Sequence, residues 1–166
     1  DMKKLLIIGH ARHGKDTVAD YLKDLYNYTS KSSSVAALEI FLYDALKEKY
    51  GYTSLQQAFE DRVNHRGEWH DFICEYNKED KSALAKKIMT TSDIYIGMRS
   101  NAELDECLKQ KVFDLVIGVW DGRKPLENKK SFDIDIWEKS DIIIPNMEGL
   151  KELEKRIIKI SPIFFE

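Results

Sequence analysis

Short apolar runs alternate along this chain with longer stretches in which apolar residues return every third or fourth position. The runs are Lys4-Leu-Leu-Ile-Ile8, Ile94-Tyr-Ile-Gly97, Leu115-Val-Ile-Gly-Val-Trp120 and Asp141-Ile-Ile-Ile-Pro145. Brief segments that are apolar at successive positions predict strands buried on both faces. Ser33-Ser-Val-Ala-Ala37 predicts a further short strand, second in chain order. Val18, Tyr21, Leu22 and Leu25 give Thr17 to Tyr26 a helical face. Leu38 to Tyr50 repeats at helical spacing and stops at Gly51, a fitting C-cap. Residues 55–76 are charged and aromatic and predict helix in pieces, and Ser82 to Met89 predicts another helix. Asn101 to Lys109 follows a cap at Ser100 or Asn101, and Leu150 to Ile160 closes the chain on an i, i+4, i+7 pattern.

Buried strands separated by helices predict an α/β fold with a parallel sheet covered on both faces. No repeat or low-complexity linker interrupts the chain, which predicts a single domain over residues 2–166. In such a sheet, ligands sit beyond the carboxyl ends of the strands. A polar, aperiodic excursion from Asp121 is the natural place for a lid within residues 121–135, and residues 38–90 for helices on an acceptor side.

Composition narrows the class. Apolar residues make up 43% and charged residues 33%, the balance of a soluble globular protein. With 26 Lys and Arg against 29 Asp and Glu, net charge is −3, so no basic surplus advertises a nucleic-acid surface. Cys74 and Cys107 stand in no metal or redox spacing and read as reduced thiols of a cytoplasmic protein. No apolar run reaches membrane-spanning length.

The first run passes directly into Gly9-His10-Ala11-Arg12-His13-Gly14-Lys15-Asp16-Thr17, and a helical pattern follows. Strand, G-x-x-x-x-G-K and helix, in that order, are the Walker A arrangement of a phosphate-binding loop. Its glycines let main-chain N–H groups of Gly9 to Thr17 converge on an anion, and the helix adds the positive end of its dipole. Lys15 reaches the outer phosphates as a point charge. Where a hydroxyl usually meets Mg²⁺ this chain has Asp16, with Thr17 one residue later. A carboxylate is a hard oxygen ligand that suits Mg²⁺, although Asp16 also reads as an acid favoured by the helix dipole.

Residues just past the other strands come next. Arg99 follows the third strand and Arg123 lies in the excursion after the fourth. Either suits a transferring phosphoryl group, and either also reads as a solvated arginine, as Arg12 does more readily. Phe59 to His70 mixes charge, imidazole and indole, so Arg62, His65, Arg66 and Trp69 are candidates for an acceptor pocket in which Trp69 stacks a base. A plain helix anchored by one indole is the competing reading. An ionised phosphate acceptor needs arginines and no base, whereas a hydroxyl acceptor needs a carboxylate to take its proton. Glu39, placed just past the second strand, is the candidate base, or else a first-turn helix acid.

The Gly9–Thr17 loop, Gly97-Met-Arg99 with Glu103 downstream, and Asp141-Ile-Ile-Ile-Pro-Asn146 before the last helix resemble the phage deoxynucleoside monophosphate kinases and their P-loop kinase relatives. That resemblance implies a three-layer P-loop kinase fold with a five-stranded parallel sheet flanked by helices, ATP with Mg²⁺, and a nucleotide acceptor. It implies that Gly9, Gly14, Lys15, Asp16 and Thr17 bind phosphate and metal, that Arg99 and Arg123 contact phosphate, and that the protein works in the host cytoplasm. The family usually has an Asp where this chain has Gly97. Phage kinases that phosphorylate the hydroxymethyl group of 5-hydroxymethyluracil in DNA, during hypermodification, are similar at the loop and are the alternative, with Glu39 as their base. A non-catalytic ATP-binding module is the third reading.

Overall fold

The computed structural model describes residues 1–166. Five parallel strands, β1 (Leu5–Ile8), β2 (Ser30–Ser32), β3 (Ile94–Ile96), β4 (Leu115–Trp120) and β5 (Ile142–Pro145), form one sheet in the order β2-β3-β1-β4-β5. Leu6 stands opposite Tyr95 on one side and Val116 on the other. Because side chains alternate across a strand, the central strands feed two cores. Leu6, Ile8, Tyr95 and Val116 enter one; Leu5, Ile7, Ile94, Ile96, Ile117 and Val119 enter the other. All four β1 residues are essentially inaccessible, and each contributes about 1.5–3 kcal/mol of transfer free energy.

Helices cover both faces. The second core takes Val18, Ala19 and Leu22 from α1 (Lys15–Tyr26), and Leu153 and Ile157 from α9 (Leu150–Ile160). The first core is closed by α2 (Ser33–Ala37), α3 (Tyr43–Tyr50), α4 (Leu55–Asp61), α5 (Arg66–Tyr76), α6 (Ala83–Met89), α7 (Asn101–Lys109) and the short α8 (Ile136–Lys139). The chain leaves β1 toward β2 but leaves β3 and β4 in the opposite direction, so the loops part beside the end of β1. Phe164 packs fully buried against Tyr26 and Tyr28, so the C-terminal aromatic docks on this chain itself.

The second strand differs from the expectation. It is Ser30–Ser32, and Ser33–Ala37 is helix. The Ser32 hydroxyl accepts the Val35 N–H at 3.2 Å, an N-cap that starts α2 at once. A π-helical turn, Leu38–Leu42, carries the helix onward into α3, which ends at Gly51. Glu39 therefore lies a full seven residues beyond the strand rather than just past it.

Behind β3 lies a half-buried acid. The Tyr95 hydroxyl donates to Glu103 of α7 at 3.4 Å, and burial pushes the Glu103 carboxyl up to about 7 against the pull of Tyr95 and Asn77. The folded value exceeds the unfolded one, so this group's stabilisation is complete below the ordinary 4.5 and is lost as pH rises through about 7. Glu103→Gln, which keeps an acceptor for Tyr95, is expected to match the parent near pH 5 and exceed it by about 2–3 kcal/mol above pH 8. Melting curves of the two proteins across that range check it.

Candidate phosphate-binding site

The loop after β1 has the backbone its motif demands. Arg12 (φ 66°) and Gly14 (φ 107°) are both left-handed, which turns the chain around a hollow before Lys15 begins α1. A side chain on Gly14 has no room, because a Cβ there would stand 2.3 Å from Asn146 Nδ2. That amide donates to the His13 carbonyl at 2.9 Å, so the residue after β5 fastens the loop from beside it. No side chain caps α1 at Gly14, which leaves its first N–H groups directed at the hollow. Lys15 is half-buried there. Burial lowers its pKa, with Arg99 adding to the effect and Asp16 and Glu127 opposing it. Asp16 is exposed and Thr17 half-buried in the first turn. Arg12 points to solvent.

The two loop histidines have partners on the excursion after β4. His13 is buried; its Nδ1 accepts the Asp121 N–H at 3.1 Å, which leaves the Nε2–H for the Pro125 carbonyl at 3.1 Å. His10 Nδ1 accepts the Glu127 N–H at 3.0 Å, and its ring packs on Phe132 at 4.3 Å. Residues 121–127 are thus tied across the mouth of the loop. The Glu127 carboxylate reaches into it, accepting the Ala11 N–H at 3.0 Å through one oxygen and pairing with Arg99 through the other. Burial works to raise the Glu127 carboxyl, yet Arg99, the Ala11 N–H and Lys15 together hold it below the usual range.

The neutral imidazole of His10 is enforced first by burial, then by His13, Lys15 and Arg99, with Glu127 alone opposing; its pKa falls below 6.5. A lowered histidine stabilises the fold above its unfolded value, and that stabilisation is lost as pH falls through the folded one. Protonation removes the acceptor of the Glu127 N–H. Amide exchange at Glu127, corrected for its intrinsic rate, is expected to quicken about fivefold on acidification, the worth of one hydrogen bond of about 1 kcal/mol. His10→Phe is expected to show the faster exchange already at neutral pH. Amide-resolved hydrogen exchange checks both.

Of the residues picked out in the sequence, Gly9 to Thr17 and Arg99 come together in the structure. Arg123 lies at the end of β4, but its guanidinium grips Asp121 in two bonds of 3.0 Å, holding that carboxyl down to about 2. Glu39 forms an ion pair with Lys31 at 2.9 Å on the outer side of the sheet edge, so it does not stand at a strand end as a base would.

The expected acceptor pocket does not assemble. Trp69 is only 5% exposed and sits in the first core, so its face is not open to a base. His65 bonds Asp61 at 3.0 Å and stacks on Tyr50, and Arg62 lies 3.7 Å over the Phe59 ring while donating to its own helix. Arg66 alone is exposed. The 3₁₀ turn Arg62–Asn64 separates α4 from α5, and Trp69 on α5 packs into the first core.

Gly97, where the sequence resemblance leads one to expect an acid, is left-handed (φ 97°), and a Cβ there would stand 3.1 Å from the Ser33 hydroxyl. Close approach of α2 to the end of β3 explains the missing side chain. No cluster of three or more His, Cys, Asp or Glu is arranged to hold a metal. Glu127 was not picked out by sequence, since it lies in an aperiodic segment; the paired histidines of the loop were the available signal.

No family model matches the chain, and no curated protein matches it. Among solved structures, TT1252 from Thermus thermophilus is similar over 100% of both chains, with a TM-score of 0.57 at 13% identity. Shikimate kinase from Aquifex aeolicus is similar over 95% of both, with a TM-score of 0.51 at 16% identity. At these identities the likeness shows the fold alone, a five-stranded parallel sheet flanked by helices. No helix is long and apolar enough to cross a membrane.

Proposed function

We propose that the chain is an ATP-dependent kinase that passes the γ-phosphoryl group to a deoxynucleoside monophosphate. The observation that carries this reading is the loop itself: left-handed Arg12 and Gly14, uncapped α1, half-buried Lys15, and Arg99 beside them at the end of the neighbouring strand. Phosphoryl transfer is chiefly positioning and charge stabilisation, and these groups supply both. Main-chain N–H groups orient the triphosphate, Lys15 draws charge toward its outer end, and Arg99 receives an anionic acceptor or the group in flight.

The place of Glu39 supports a phosphate acceptor over a hydroxyl. Glu39 is engaged by Lys31 of the edge strand, whereas a phosphate acceptor arrives ionised and asks for no base. Asp16 and Thr17 fit a Mg²⁺ ion, which takes most of its ligands from phosphate and water and needs few from protein. When bound, the ion neutralises charge on the transferring group.

An acceptor screen with γ-labelled ATP tests the proposal. Free deoxynucleoside monophosphates are expected to gain label, hydroxymethylated DNA is not, and Glu39→Gln is expected to leave kcat within about twofold. Label entering 5-hydroxymethyluracil, with Glu39→Gln lowering kcat by roughly 10²–10⁴, would instead establish the hydroxyl kinase. ATP binding with no labelled acceptor would favour a binding module.

A further inference from the structure

We infer that the Glu127 side chain is a built-in occupant of the phosphate nest, one that a nucleotide must displace to bind. The inference rests on the nucleotide reading above but goes beyond it. Three contacts and one nearby charge define the arrangement. The carboxylate accepts a main-chain N–H of the loop, that of Ala11, at 3.0 Å. It neutralises Arg99, the guanidinium best placed for a phosphoryl group. It lies near enough to Lys15 for each charge to favour the other's ionised form. Its own backbone is pinned by His10, which delivers the side chain to this place.

A carboxylate and a phosphate make the same demands: N–H donors, a planar guanidinium and a cation. Both cannot hold the same donors. The triphosphate therefore competes with Glu127, and the apparent affinity is the intrinsic one multiplied by the fraction of molecules in which the side chain has swung away. When it leaves, Arg99 is released at the same moment and becomes available to phosphate. Nest and arginine thus open together, in one movement of one side chain.

Affinities of ATP and of inorganic tripolyphosphate, measured by calorimetry on the full chain, test this. Glu127→Gln and Glu127→Ala are expected to tighten both ligands about tenfold, with adenosine unchanged. A general loss of negative charge could do the same, so Glu127→Asp is the decisive variant. It keeps the charge but shortens the reach by one methylene, and it too is expected to tighten both ligands. Parent-like affinity in Glu127→Asp overturns the inference, as does unchanged or weaker binding in Glu127→Gln, which would mark the carboxylate as a permanent strut of the strap. Equal ATP binding by all variants sinks this inference and spares the nucleotide reading. Absence of ATP and tripolyphosphate binding from every variant and the parent sinks both. Melting curves confirm that each variant is folded.

Discussion

Lys15→Ala is expected to lower phosphoryl transfer by about 10³-fold, the scale on which removing a single preorganised charge from a transferring group acts. Lys15 begins α1 directly after the loop and stands half-buried among Asp16, Arg99 and Glu127. Stability is expected to move the other way or not at all. Burial already lowers the Lys15 pKa, so folding at neutral pH works against its charge, and removing a half-buried cation relieves that cost. A parent-like or higher melting temperature together with lost turnover separates a site residue from a structural one. Turnover within tenfold of the parent would remove Lys15 from the chemistry.

Trp69→Ala is expected to destabilise the protein by about 3–5 kcal/mol, as the removal of a large buried aromatic does elsewhere. At roughly 2–4 °C per kcal/mol for a chain of this size, the melting temperature falls by about 10 °C. The indole is 5% exposed and packs among residues of the first core, while its Nε1–H finds no partner. Trp69→Phe leaves no orphaned donor and keeps most of the apolar contact, so it is expected to cost far less. Acceptor KM measured on folded Trp69→Phe decides the matter: parent-like values agree with a core residue, and a tenfold rise would restore the indole to a substrate site.

What sequence could foretell follows the range of the forces at work. The bounds of β1, β4 and α9 are written in local apolar patterning, which burial on both faces or on one stripe makes unambiguous. The loop is legible for the same reason: its glycines, lysine and following helix are contiguous, so geometry and chemistry share one short stretch. Arg99 was legible because sheet topology fixes where strand ends point. The second strand was misplaced because Ser30-Lys-Ser32 carries no apolar signal and exists through main-chain pairing with β3, while the serine cap that starts α2 sits inside the stretch read as strand.

Trp69 and Glu127 failed for a tertiary reason. A 3₁₀ turn breaks the helical stretch before Trp69, and its packing into the first core is not recorded in any periodicity across that break. Glu127 acquires its role only because His10 and Ala11, more than a hundred residues earlier, hold its backbone and its carboxylate. The histidines of the loop were visible as unusual letters, yet their partners were not. Long-range hydrogen bonds leave no spacing behind them.

The margins of the sheet carry a last consequence. One margin is β2, three residues long with Lys31 at its centre, and the other is β5, whose final position is Pro145. A foreign strand seeking to extend the ladder meets a stub with a charge at one border and a missing donor at the other. Such borders discourage edge-to-edge polymerisation, so the molecule keeps an apolar sheet without offering it as a template for aggregation.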